Sequence, residues 1–186
     1  MNGSVVLMII DMQQGMSWSQ AGKRNNPEAE HEIAELLAHW RANHAPVVHV
    51  CHHSTQEDSL FWSDQDGALF QDAFMPMENE KVVTKSVPDA FTYSDLDVWL
   101  REENTQTLIV VGVSTNNSVE STVRSAGNLG FHTCVVGSAC FAFEKTDFDG
   151  RDRSAEEVHA MSLANLHGEY ATVISLDEAF ALLPER

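Results

Sequence analysis

Apolar residues recur along this chain with two different periods, and the alternation between them sketches a fold. Short, nearly unbroken apolar runs suit strands buried on both faces. They occur at Val5 to Ile10 and Val47 to Cys51 and, after a short third strand at Lys81 to Lys85, at Leu108 to Val111, His132 to Val136 and Ala171 to Ile174. Between them the apolar positions shift to helical spacing. Pro27 to Asn43 places Ile33, Leu36, Leu37 and Trp40 on one stripe, and Asp95 to Glu103 carries Leu96, Trp99 and Leu100. Val119, Val123, Ala126 and Leu129 form a third stripe that stops at Gly130, with helix N-caps on offer from Ser114 to Ser118. Ser154 to His167 and Leu176 to Leu183 read as the last helices. Strand–helix alternation of this kind predicts a three-layer α-β-α sandwich. Its centre is a mainly parallel, Rossmann-like sheet of five or six strands, in one domain over residues 1–186.

Two stretches break the pattern. His52 to Pro76 has no clean period and reads as a long excursion with a short helix around Gly67 to Ala73. Its aromatics could wall a pocket or pack as a satellite of the core. Glu144 to Arg153 reads as an acidic loop.

Candidate chemistry gathers at one edge of the expected sheet. In open parallel sheets, ligands bind outside the carboxyl ends of the strands, near the switch in strand order. Asp11 ends the first run, Lys85 ends the third, and the Gly112–Ser118 turn follows the fourth. A buried strand, a sharp turn and a helix start present backbone N–H groups and a positive dipole end, and the Ser118 hydroxyl falls where these meet. Neither a Gly-x-Gly-x-x-Gly nor a Walker lysine motif occurs, which leaves nucleotide binding by those devices without support.

Charge narrows the partners. Lys and Arg total 11 against 28 Asp and Glu, for a formal charge of −17. Such a field repels phosphate backbones and anionic lipid, so no nucleic acid and no membrane surface is expected as partner. No apolar run approaches the roughly 18 residues of a membrane span, and Met1 to Asp11 reads as a first strand instead of a signal peptide. Three cysteines, Cys51, Cys134 and Cys140, are an odd number without paired spacing. They fit a reducing compartment, and a cytoplasmic location is expected. His52-His53 lacks the further ligands a zinc site needs, so neither a metal nor another cofactor is expected.

The motifs together resemble the isochorismatase-like (cysteine hydrolase) superfamily over nearly the whole chain. Asp11-Met12-Gln13 matches its Asp-x-Gln, Lys85 with Ala90-Phe91 matches its lysine, and Gly112-Val113-Ser114-Thr115-Asn116-Asn117-Ser118-Val119 follows its Gly-Val-x-Thr-Asn-x-Cys-Val. The departure is Ser118, which stands at the nucleophilic cysteine position. The resemblance implies an Asp–Lys–Cys triad cleaving amides and related C–N bonds of small molecules, here Asp11, Lys85 and Ser118. It also implies a non-proline cis peptide at Val113–Ser114, an oxyanion hole from the backbone N–H groups of Ser114 and Ser118, and a homo-oligomer. Gln13, Trp18, Phe61, Trp62 and Phe91 are the expected substrate-pocket residues. Metal-binding members carry an Asp and several His after strand two, which Cys51-His52-His53-Ser54 does not reproduce.

A cysteine with a pKa near 8.5 is brought into the neutral range by a helix N-terminus and a lysine. A serine must instead lose its proton to a base during attack, and Asp11 is the base this constellation offers. Held by Lys85, a carboxylate is a weak proton acceptor. Three readings follow: a hydrolase using Ser118 or water on a C–N bond; an isochorismatase-type enzyme in which Asp11 protonates a vinyl ether and water adds; and a catalytically silent member that binds a small molecule or a partner. Cys51, with no helix N-terminus following it, reads as core.

Overall fold

A computed structural model describes residues 3–184, and six strands form one parallel sheet at its centre. In chain order these are β1 (Ser4–Ile10), β2 (Val47–His52), β3 (Lys81–Lys85), β4 (Thr105–Val113), β5 (His132–Phe141) and, after a short hairpin, β8 (Thr172–Ile174). The hairpin is β6 (Lys145–Thr146) with β7 (Asp152–Arg153), where the sequence suggested only a loop. Asp147 holds it, accepting from the amides of Asp149 and Arg151 and from the Arg153 guanidinium.

The strand order β3-β2-β1-β4-β5-β8 places the reversal between β1 and β4. Helices α1 (Ala29–Ala42) and α5 (Leu176–Leu182) cover one face, burying Ile33, Leu36, Leu37 and Trp40 against Leu7, Ile9, Ile109 and Val111. On the other face, α2 (Leu96–Glu102), α3 (Glu120–Asn128) and α4 (Ala155–Leu166) bury Leu96, Leu100, Val123 and Leu166 against Val6, Met8, Val50 and Val110. This is the α-β-α sandwich read from the apolar periods. β1 and the centre of β4 are near-continuous apolar runs because both faces are covered, while the edge strand β3 buries Val83 and leaves Val82 exposed. Among the described residues, no helix is long and apolar enough to cross a membrane.

Local differences from the sequence reading have physical causes. β5 does not stop at Val136 but runs to Phe141, its register on β4 shifting between Val110 and Gly112. Asn26 and Asn25 hold that irregular end, Asn26 by donating to the carbonyls of Gly137 (3.1 Å) and Cys140 (2.6 Å), Asn25 by accepting the Ala142 amide (2.8 Å). The helix expected around Gly67 to Ala73 is two separate 3₁₀ turns, Asp66–Ala68 and Asp72–Phe74. Between them Leu69-Phe70-Gln71 is extended against Met12 to Gln14, and those bridging hydrogen bonds displace helical ones.

α4 and α5 begin with capping boxes, Ser154 with Glu157 and Ser175 with Glu178. The serines before α3 do not cap it. Instead a single wide, π-type turn over Thr115–Val119 leads into the helix, and the Ser114 carbonyl accepts from the amides of Asn117 and Val119.

Candidate active site

The site is built at the carboxyl ends of β1, β3 and β4. Asp11 directly follows β1 and adopts a left-handed backbone, φ 53°. This lets the chain turn away from the sheet while its carboxylate turns inward, 1% exposed. Lys85 is the last residue of β3 and 3% exposed. Because β2 lies between β3 and β1, and neighbouring strands are about 4.8 Å apart, the Lys85 side chain must extend over the end of β2. There its Nζ donates to Asp11 Oδ2 at 2.8 Å and to Ser118 Oγ at 3.1 Å. Ser118 sits in the wide turn after β4 and is 6% exposed. Asp11 Oδ1, the other carboxylate oxygen, is buried and has no hydrogen-bond partner among the described residues.

The approach of β4 to β1 sets these positions. Gly112 pairs with Ile10 at φ 120°, and a Cβ there would lie 2.2 Å from the Ile10 carbonyl oxygen. Only glycine fits. Ile10 immediately precedes Asp11, and Val113–Ser114, just beyond Gly112, is a cis peptide bond. A second layer holds the turn from α4. Thr115 Oγ1 is 2.8 Å from His159 Nδ1, and its carbonyl accepts from Ser162 Oγ at 2.8 Å. Burial lowers the His159 pKa, which keeps the ring neutral and able to exchange one donor and one acceptor with its neighbours. No sequence pattern marks this layer, because its members lie more than 40 residues apart and follow no motif.

The pocket residues named from sequence divide. Gln13 is wholly buried, and its amide is occupied: Nε2 donates to the carbonyls of His52 (2.9 Å) and Ala68 (2.7 Å), while Oε1 accepts the His52 amide (2.8 Å). It clamps the end of β2 to the excursion. Phe61 lies edge-on to His52, ring centroids 6.4 Å apart, and against Gly15. Trp18 packs over Gly67, and Trp62 bridges to Ser54. Phe91 is drawn to the opposite end of the sheet, stacked on Phe131 at the start of β5. Cys51 is buried, its thiol pushed up by burial despite a contact with Thr84 Oγ1. Among the described residues, no group of three or more His, Cys, Asp or Glu is placed to hold a metal ion.

Known proteins match this architecture from end to end. A protein of the isochorismatase family from Chromobacterium violaceum has a crystal structure that superposes with a TM-score of 0.91. It is 45% identical, over 96% of this chain and 92% of that one. The isochorismatase family protein YrdC of Bacillus subtilis is 33% identical over 172 residues, 92% of each chain. The secreted isochorismatase effector Isc1 of Verticillium dahliae is 29% identical over 170 residues, 91% of this chain and 87% of its own. A cysteine hydrolase from Pseudomonas syringae shares the fold, with a TM-score of 0.86 at 22% identity. The isochorismatase domain model matches residues 5–178, so the chain that carries this buried Asp–Lys–Ser group belongs to the isochorismatase family of hydrolases.

Proposed function

We propose that this protein hydrolyses a C–N bond of a small amide or ureide, with Ser118 as nucleophile where the family resemblance places cysteine. The carrying observation is the buried Asp11 Oδ1, unpartnered among the described residues, beside a Lys85 Nζ that bridges Asp11 and Ser118. A buried carboxylate oxygen with no protein donor keeps a lone pair free to take up and return a proton in a reaction step. In this reading Ser118 Oγ attacks the substrate carbonyl carbon while its proton passes to Asp11. The Lys85 ammonium and the Ser114 and Ser118 amides stabilise the oxyanion. The C–N bond then breaks, the nitrogen leaving with the proton from Asp11. Water, giving its proton to Asp11, then attacks the acyl-serine ester; the ester C–O bond breaks, the acid leaves, and the Asp11 proton returns to Ser118 Oγ.

The test is ammonia or amine release from a panel of small amides and ureides. Activity is expected to disappear in Asp11→Asn and Lys85→Ala, and the assignment fails if both variants keep full rate. Ser118→Cys is expected to raise the rate, because the positive surroundings that cannot ionise a hydroxyl can ionise a thiol.

A second reading draws on the same free oxygen. Asp11 would protonate a vinyl ether and water would add, with Ser118 merely accepting from Lys85. Ser118→Ala separates the two, since turnover survives it only on the second. Turnover by neither route, with a partner co-purifying, would mark a silent binding member. The protein is further proposed to act as a homo-oligomer in a reducing, cytoplasmic setting. Light scattering and fractionation test this, the latter set against the secreted Isc1.

A further inference from the structure

His52 belongs to no motif, yet the topology places it at the centre of the site. It is the last residue of β2 and pairs in register with Lys85. Parallel neighbours in register point their side chains to the same face. That phase is fixed by Val50 and Val83, two residues earlier on each strand, which share the core beneath α2 and α3. Lys85 crosses the end of β2 to reach Asp11, so His52 lies under the span of the triad.

Its main chain is held firmly. Gln13 donates to its carbonyl and accepts from its amide, and the Phe61 ring stands edge-on to the imidazole. Its side chain is left open. Among the described residues, neither ring nitrogen has a hydrogen-bond partner, and the residue is partly exposed where Asp11, Lys85 and Ser118 are sealed.

We propose that His52 is a substrate-contact residue of this site, its imidazole hydrogen-bonding a polar group of an entering carbonyl compound beside the Lys85–Ser118 pair. Asp-x-Gln thereby does two things in one turn: Asp11 joins the reacting groups, and Gln13 positions the residue that receives the substrate. Burial first, then the charge of Lys85, lowers the His52 pKa, with His53 acting the same way and Asp11 opposing. The ring therefore stays neutral at pH 7, with one N–H to donate and one lone pair to accept.

This inference rests on the hydrolase reading, so its test needs a probe that reports on Ser118 without turnover. Phenylboronic acid, which adds reversibly to nucleophilic hydroxyls, is titrated by calorimetry, and p-nitrophenyl acetate hydrolysis is followed in parallel. The unmodified protein is expected to bind the boronate and Ser118→Ala to lose it. His52→Ala is expected to weaken boronate binding and raise KM for the ester about tenfold each, the worth of one or two hydrogen bonds, with kcat moving less. His52→Gln, which keeps a donor and an acceptor, is expected to recover most of both. Protonating His52 removes its acceptor, so kcat/KM falls as pH drops below the usual imidazole range near 6.5. That acid limb is expected to vanish in His52→Gln.

If Ser118→Ala abolishes binding while His52→Ala matches the unmodified protein, the His52 role is overturned and the hydrolase reading stands. If the unmodified protein neither binds the boronate nor turns over the ester, the nucleophile reading falls and this role falls with it.

Discussion

The two ends of β3 carry buried charge of two different kinds. Glu80, just before the strand, accepts from Arg41 Nε (2.7 Å) and Nη2 (2.8 Å), from the Met77 amide (2.8 Å) and from His49 Nε2 (2.9 Å). Burial pushes the Glu80 carboxyl up, but the donors from Arg41, Met77 and His49 outweigh it and hold the group at about 2. Lys85, five positions later, completes a group in which one carboxylate oxygen has no donor among the described residues. His49 Nδ1 is also unpartnered, but on a ring that burial keeps neutral, where an empty lone pair costs less than on a carboxylate. Burial and charge are thus common to clamp and candidate site. What separates them is unused hydrogen-bonding capacity on a charged group.

Substitutions can break this contrast. Ser118→Ala should lower turnover on any accepted amide by a factor on the order of 10³ or more. It should leave stability within about 1 kcal/mol, read as denaturant midpoint. Lys85→Met strands the buried Asp11 carboxylate without its ion-pair partner and should cost about 3–5 kcal/mol, together with all activity. Adding Asp11→Asn should return most of the stability and none of the rate, so a double-mutant cycle measures the coupling. Glu80→Gln should do the reverse, losing about 2–3 kcal/mol while kcat stays near its original value. An equal loss of rate there would dissolve the distinction between the two ends.

The pH dependence sharpens it further. Glu80 sits lower in the folded protein than its ordinary 4.5. Its contribution is therefore complete above about pH 4.5 and lost as pH falls toward 2. His49 is also lowered, by burial first, so acid below the usual imidazole range penalises the fold in the same direction. Stability against pH should flatten over this acid window in Glu80→Gln. The smallest effect is expected from Thr115→Val, about 1 kcal/mol, seen as a modest fall in Tm from losing one contact between α4 and the turn.

The sequence showed the sheet and its chemical edge for the same reason. An apolar run that ends abruptly on Asp11, Lys85 or the Gly112 turn marks both a buried strand and a polar group at its end. The Glu80 clamp was invisible, because Arg41, Met77 and His49 reach it from α1, a loop and β2, and no period connects them. The extension of β5, the split 3₁₀ turns and the wide turn at Thr115–Val119 were illegible for a related reason. Asn26, Gln13 and, for the wide turn, His159 and Ser162 hold them through distant hydrogen bonds that override local propensity. His52 was seen only as half of a histidine pair, and its value came from register, which a single strand's sequence does not contain.

The left-handed backbone of Asp11 restricts which replacements this position can explore. At φ 53° an Asp, Asn or Gly is accommodated, while longer and branched side chains are disfavoured. Glutamate, the swap that chemistry alone would call mildest, meets both a backbone penalty and a carboxylate one methylene too far from Lys85. Single mutational steps from this aspartate that preserve the fold therefore discard the charge, and steps that preserve the charge disturb the fold. A lineage abandoning hydrolysis would be expected to pass through asparagine or glycine here, with Lys85 changing soon after to relieve its lost partner.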